Sequence, residues 1–484
     1  MPRRTSYKNL FCIAIGIALL SAAPLHAGEI HHEIKIDLDP ETHRIAVEDT
    51  IHFSGNSPAA GENVLHFLLH PGLNPHSPNP EVSIFRIKSP TEFAADGLLT
   101  TPLIPARGLA VESYRLTLPR GQTTAVLRYS GEIDHPLRQE DGEASADFPG
   151  TVSEDGIYLE GTSYWVPWFD EGLVTFTLDV TLPAGWDAVS QGQRTRHEKG
   201  KDKTIVRWES PEAQDAIYLV GGIFSEYGPS EGKVSALAFL RTPDAALAEQ
   251  YLGVTGQYIE MYEGLIGPYP YTKFALVENF WDTGYGMPSF TLLGPTVIRF
   301  AFILHSSYPH EILHNWWGNG VYVDSATGNW SEGLTAYLAD HLIQEQRGRG
   351  TDHRRAVLQK YSDYVSTTPE NGEKSRATDL PLTDFRERHN PVTEAVGYGK
   401  TLMFFHMLRQ TLGDEVFIQS LRDFYKNFKF KRAGFSDLQT TFSQVSKRAL
   451  EKEFEQWVRR TGAPARPPFG WRERGPRPSK PVTV

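Results

Sequence analysis

Pro309-His310-Glu311-Ile312-Leu313-His314-Asn315-Trp316-Trp317-Gly318-Asn319 is the stretch on which the reading of this chain turns. It contains His-Glu-x-x-His. On a helix, residues i and i+4 share a face, so His310 and His314 can aim their imidazoles at one point. Neutral imidazole is a good zinc ligand. Glu311, beside the first imidazole, is close enough to hold a water on such an ion and take its proton. A helix is supported locally: Pro309 suits a first turn, Ser306 or Ser307 can cap it, and Gly318 can end it. The same pattern also arises as two surface histidines on an amphipathic helix, so alone it does not decide.

The segment 329–338, Asn-Trp-Ser-Glu-Gly-Leu-Thr-Ala-Tyr-Leu, shifts that balance. It reads as a second helix capped by Ser331, with Glu332 in its first turn. A catalytic zinc takes three protein ligands and keeps one position open for water. Glu332 is the obvious third ligand.

The chain has 484 residues and a formal charge of -11. The length allows several domains. The charge argues against nucleic acid as the main partner and for a soluble surface. Arg3, Arg4 and Lys8 precede an apolar run, Leu10 to Ala23, too short for a comfortable membrane span. Residues 1–27 therefore read as a secretory signal, cut near Ala27 or Ala23, with an uncleaved N-terminal anchor as the alternative. Cleavage at Ala27 removes three positive charges and no acidic residue, taking the formal charge from -11 to -14. Cys12, the only cysteine, lies in that run, so the exported chain forms no disulfide and rests on its core. Export ends in a periplasm or the medium. No other segment is long and apolar enough to cross a membrane.

Residues 28–232 read as a β domain, a sandwich or saddle. Segments 32–38 and 175–182 alternate polar and apolar residues, and turn residues separate such runs. The acidic segment 139–147 reads as a loop. Residues 233–464 are α+β and become helical towards their end. They hold a strand at 234–241, a helix from Asp244 to Gly267 and strands at 274–277 and 290–293. Helices are expected at 331–347, 351–366, 393–412, 414–428, 435–444 and 447–460. Residues 465–484, rich in Pro and Arg, read as an extended or disordered tail. His305, His341 and His406 lack ligand spacing. Trp316 and Trp317 read as packing.

In order and motif, residues up to about 464 resemble the aminopeptidase N-like zinc metallopeptidases, which are thermolysin-type gluzincins. His310 to Asn319 resembles that family's HExxHxWxGN, and Gly397-Tyr398-Gly399-Lys400 its Tyr-x-Lys-Gly block. The resemblance implies a thermolysin-like catalytic domain behind the β domain. It also implies one zinc held by His310, His314 and Glu332, with Glu311 as general base and Tyr398 as hydrogen-bond donor to the oxyanion. The substrate is then a peptide or protein.

The chain departs from the family in three places. Seventeen residues, 315–331, separate His314 from Glu332, against the family's usual eighteen; the loop at 324–328 is the expected place for the deletion. The family's edge-strand segment Gly-x-Met-Glu-Asn uses its glutamate to hold the substrate's free amine. Here the matching residues, which include Gly286, Met287, Pro288 and Ser289, are the expected substrate-binding segment, and proline stands at the glutamate's place. Pro288 has neither charge nor N–H. Glu278 or Asp282 is a candidate replacement carboxylate, weighed against solvated loop charges. Lastly, after Gly462-Ala463-Pro464 only a tail follows, which suggests an open cleft or one closed by another subunit. Exopeptidase and endopeptidase action both stay open. The competing class is a catalytically silent, zinc-containing peptide-binding scaffold. Hydrolysis of an ester or epoxide by the same water is a third reading.

Overall fold

The computed structural model describes residues 30–54, 63–87, 109–137, 139–140, 143–144, 148–169, 172–229, 233–365 and 379–462. The expected signal at 1–27 and the tail at 465–484 lie outside these residues.

The first part of the chain is β-rich. Its largest sheet has six strands, in the order Gln193–Lys199, Lys203–Gln214, Val174–Pro183, Ile30–Asp39, Arg44–Phe53 and Thr124–Glu132. Alternation explains the packing. In Ile30–Asp39, Ile34, Ile36 and Leu38 are buried while the residues between them face outward. A four-stranded and a three-stranded sheet complete this region. In the acidic segment expected as a loop, Gln139–Glu140 and Glu143–Ala144 instead pair as a short hairpin.

A five-stranded sheet joins the two halves of the molecule. Its order is Ser225–Tyr227, Ser235–Leu240, Lys273–Glu278, Phe290–Leu293 and, at the edge, Gly284–Met287. Ser235–Leu240, Lys273–Glu278 and Phe290–Leu293 run parallel; the edge strand returns antiparallel. Both faces are covered, so the strands read as nearly continuous apolar runs. Ala238, Leu240, Phe274, Leu276 and Leu293 belong to the core shared with the helices. Leu237, Phe239, Ala275, Val277, Phe290 and Leu292 belong to the core of the β-rich part.

Helices pack on the first of those faces. Ala245–Leu265 is capped by Asp244, whose Oδ1 accepts from the Leu247 amide at 2.9 Å. Ser307–Leu313 carries His310 and Glu311, and His314 follows as its C-cap. Trp316, Trp317 and Trp330 are fully buried among the helices, as expected for the side of such a helix that faces the core. The helix expected over 331–347 consists of α-helical Ser331–Ala336, a π-helical turn Tyr337–His341 and α-helical Leu342–Gln346. The expected helix 393–412 is likewise Pro391–Glu394, a π-turn Ala395–Lys400 and Thr401–Leu412. Ser331 is the first helical residue rather than the cap. Asn329 does the capping, its Oδ1 accepting from the Ser331 amide at 3.0 Å and hydroxyl at 2.7 Å.

Gly333, next to Glu332, sets how closely the two interrupted helices approach. A Cβ there would lie 2.2 Å from Thr401 Cβ. Gly333→Ala should therefore force these helices apart and destabilise the protein by about 1–3 kcal/mol. Urea unfolding of the variant measures this; wild-type stability would show that the contact yields freely.

Candidate metal centre

The His310 helix is short, but its bonding continues through the second histidine. The His314 amide donates to the His310 carbonyl at 3.1 Å, so both imidazoles stand on one face with ring centroids 4.8 Å apart. Glu332 arrives from the neighbouring helix. Its Oε2 lies 3.6 Å from His310 Nε2 and 3.4 Å from His314 Nε2. The three donor atoms lie within 4.8 Å of one another. One residue fewer between His314 and Glu332 thus leaves the cluster intact. The loop there is a tight 3-10 turn, Ser325–Thr327, ended by Gly328 at φ 105°.

The outer nitrogens fix the tautomers. His310 Nδ1 faces both oxygens of Asp340 at 3.3 Å. His314 Nδ1 donates to the Trp317 carbonyl at 2.9 Å. With the proton on Nδ1, each Nε2 presents a lone pair to the centre. Glu332 Oε2 adds another and has no hydrogen-bond partner among the described residues. Three electron-pair donors aimed at one another repel unless a cation or protons lie between them. In the metal-free chain they draw protons. Burial works against charge on His310, yet Asp340 and Glu332 raise its pKa well above the ordinary imidazole value. Burial also works against charge on Glu332, yet His314, then contacts with both imidazoles, hold it well below the carboxylate range. The same field favours a divalent cation.

A second group, Asp187, His197 and Glu226, has similar spacing. It is already neutralised: Lys199 Nζ lies 3.1 Å from Asp187, and Arg194 donates to Glu226 at 3.0 Å. That is an ion-pair network, and it lacks the unbalanced negative potential of the first cluster.

Glu311 is buried beside the three donors, and burial raises its pKa above the usual carboxylate value. It faces the edge strand. A Cβ on Gly286 would stand 2.7 Å from Glu311 Oε2, so only glycine lets the strand approach this closely. Tyr398 lies on the π-turn, its ring nearly parallel to His310's at 6.2 Å. Burial, then the Glu332 carboxylate it touches, push its phenol well above the ordinary range, so it remains a donor. Gly397 makes room for Phe385, whose ring would be 2.0 Å from a Cβ there. Lys400 turns away from the centre and donates to the Arg460 carbonyl at 2.8 Å.

Met287 and Pro288 are buried at the end of the edge strand, and Ser289 turns inward. Neither proposed replacement carboxylate serves the centre. Glu278 is buried rather than solvated, accepting from the Arg241 and Thr242 amides and from Arg299. Asp282 is exposed and accepts from the Thr296 amide at 2.8 Å.

Sequence reasoning missed Asp340. It lies eight residues beyond Glu332, about 80° out of phase on a regular α-helix. The π-turn absorbs one residue and restores the phase. An acid one residue beyond the expected position was the available signal. Asn319 was also missed; its Nδ2 donates to the Gly286 carbonyl at 2.9 Å and ties the motif's end to the edge strand.

Asp340→Ala should leave the fold in place and weaken metal binding about 10–100-fold, read by competition with a chelator of known affinity; unchanged affinity would deny Asp340 this role. Gly286→Ala should push Glu311 or the strand aside, lowering any metal-dependent turnover while metal stoichiometry stays at the wild-type value.

Residues 305–457 match the family model described as the Peptidase family M1 domain. Aminopeptidase B of Rattus norvegicus is 25% identical over 338 residues, covering 64% of this chain and 50% of its own length. The chain thus spans about half the length of the curated relatives it matches. An M1 zinc metallopeptidase from Deinococcus radiodurans, solved as a mutant bound to a Tyr-Ser-Ala substrate, superposes with a TM-score of 0.63 at 18% identity, over 91% of this chain and 95% of that one. Yeast LTA4 hydrolase gives 0.64 at 16% identity, over 91% and 69%. Both likenesses support the two-part architecture of sheets followed by a largely helical region. One zinc ion is the cofactor of this family's centre, and the donor set here fits it. The matched domain and the order of its sheets, helices and metal-binding cluster make the chain similar to the zinc metallopeptidases of peptidase family M1.

Proposed function

We propose that the chain is an exported zinc metallopeptidase that hydrolyses peptide bonds and recognises the substrate's N-terminus differently from its relatives. The observation that carries this is the joint facing of the His310, His314 and Glu332 donors, the Glu311 carboxylate and the edge strand. Zinc, when bound, supplies Lewis acidity and lowers the pKa of water from about 15.7 towards about 7. His310, His314 and Glu332 hold the ion. Glu311, its proton affinity raised by burial, takes the proton of the attacking water and returns it to the leaving amine. The Tyr398 phenol donates to the oxygen on which negative charge develops, an interaction that strengthens towards the transition state. The strand Gly284–Met287 and its turn at Pro288–Ser289 line the substrate's path beside Glu311.

The family's amine-binding glutamate is replaced by Pro288. Among the described residues, Glu160 follows the strand Gly156–Leu159, whose Tyr158 ring lies 6.4 Å from the ring of Tyr285 on the edge strand, and Thr162 donates to it. Glu160 is the proposed amine partner. One partly exposed carboxylate gives a charge-assisted hydrogen bond of about 1.5–3 kcal/mol, so preference for a free amine should not exceed about 100-fold. Export rests on the basic and apolar residues 1–27. Among the described residues no helix is long and apolar enough to cross a membrane.

Purified protein should cleave aminoacyl reporters and, more slowly, N-blocked peptides, and a chelator should stop both. Glu311→Gln should keep zinc and lose about 10²–10⁴-fold in kcat. Absence of chelator-sensitive cleavage of either class would overturn the peptidase reading. Glu160→Gln should raise KM for free-amine substrates and leave blocked ones unchanged; an equal effect on both would remove Glu160 from amine recognition.

A further inference from the structure

A buried lysine behind the edge hairpin has no place in the chemistry so far. Lys273 is 3% exposed. Its Nζ donates to three acceptors: the Ser190 carbonyl at 2.9 Å, the Ser289 carbonyl at 3.1 Å and the Ser289 hydroxyl at 2.8 Å. The rings of Trp208 and Phe290 lie 4.9 and 5.2 Å from it. Three acceptors match the three N–H groups of an ammonium and the ring faces favour a cation, while burial, then the Arg194 charge, push its pKa well below the ordinary lysine value. Burying such a charge among neutral partners is costly. An apolar side chain of similar length would fill the space without that cost, so what the lysine holds matters.

It holds Ser289. Met287 and Phe290 are paired residues of the edge hairpin, and Pro288 and Ser289 form its two-residue turn. Hairpins of this length favour turns with positive φ at the first position. Proline cannot adopt it. The turn therefore places the positive φ, 67°, on Ser289, a conformation that L residues avoid. Every polar group of Ser289 is used to hold it there. Its amide donates to Asn315 Oδ1 at 2.7 Å, its carbonyl also accepts from the Ala275 amide at 3.1 Å, and its hydroxyl also accepts from the Gly192 amide at 3.1 Å. Asn315 directly follows the second histidine. Ser190 and Gly192 belong to the β-rich part. One chain of contacts thus runs from the β-rich part through Lys273 and Ser289 to the helix that carries His310 and His314.

We propose that Lys273 is a positioning residue for peptide hydrolysis: through Ser289 it fixes the edge hairpin against Asn315 and so sets the separation between Gly286 and Glu311. The proposal rests on the peptidase reading above. Pro288 removes the family's charged anchor from this turn, and Lys273 keeps the turn in register from behind. The separation has little slack, since the space at Gly286 excludes even a methyl group.

The test compares wild type, Lys273→Met, Ser289→Gly and the double variant. Ser289→Gly keeps the positive φ and the carbonyl acceptor while removing the hydroxyl. Each is measured for zinc content, thermal unfolding, kcat and KM on a chelator-sensitive peptide, and amide hydrogen exchange over 284–289. Lys273→Met should remain folded with one zinc, lose about 100-fold in kcat/KM, as expected for a misplacement of about 1 Å, and raise KM. Ser289→Gly should lose about tenfold. The double variant should match Lys273→Met within about twofold, because both act through one link. Exchange of the Ser289 amide should accelerate in all three, while amides of the His310 helix keep their protection.

Wild-type KM, kcat and Ser289 exchange in folded Lys273→Met would overturn the proposal. So would losses that multiply in the double variant, or faster exchange spread evenly over the protein. If Lys273→Met does not fold, Ser289→Gly decides by the same readouts. If wild type shows no chelator-sensitive turnover, the peptidase reading fails, and local exchange at Ser289 still decides whether Lys273 fixes the hairpin.

Discussion

Three electron-pair donors aim at one point, and the packing around them serves to keep them there. His310, His314 and Glu332 repel one another unless positive charge lies between them, so the fold must force their convergence. Asp340 and the Trp317 carbonyl lock the outer nitrogens of the imidazoles. Gly333 allows the Glu332 helix to lie against Thr401. The buried tryptophans anchor the motif helix from behind. Each of these features is intelligible as support for a charge-deficient centre, and a protein that did not bind a cation would gain nothing from them.

The metal-binding cluster was legible in the sequence because its two histidines obey local periodicity. His310 and His314 are one helical turn apart, and the sheet strands betray themselves by apolar runs or alternation. Legibility ended where the helix left its regular period. Asp340 is out of phase with Glu332 on an α-helix, and only the π-turn at Tyr337–His341 returns it to the site. The capping error had a similar cause: Ser331 was a plausible cap by type, but Asn329 reaches the same groups from two residues earlier. Glu278 failed as a candidate because sequence distance does not reveal that its carboxylate is already saturated by Arg299 and two amides.

The edge hairpin is where this chain differs most from the pattern it otherwise follows. Pro288 stands where the resembling family carries a charged residue, and it changes the turn itself, because proline excludes the positive φ that a two-residue hairpin prefers at its first position. Ser289 takes the unfavourable conformation instead, and a buried lysine with neutral partners holds it. The β-rich part also holds this turn, through Ser190 and Gly192, and so helps fix the edge strand near Glu311.

Calorimetric titration of the metal-free protein with zinc reads whether His310, His314 and Glu332 form one metal site. In the metal-free chain the pKa values of His310 and His314 are raised, so zinc should bind at one site per chain and displace protons, making the apparent enthalpy depend on the buffer's ionisation enthalpy. Glu332→Ala should weaken that binding sharply. Absence of a stoichiometric site, or a zinc affinity indifferent to Glu332, would contradict the account.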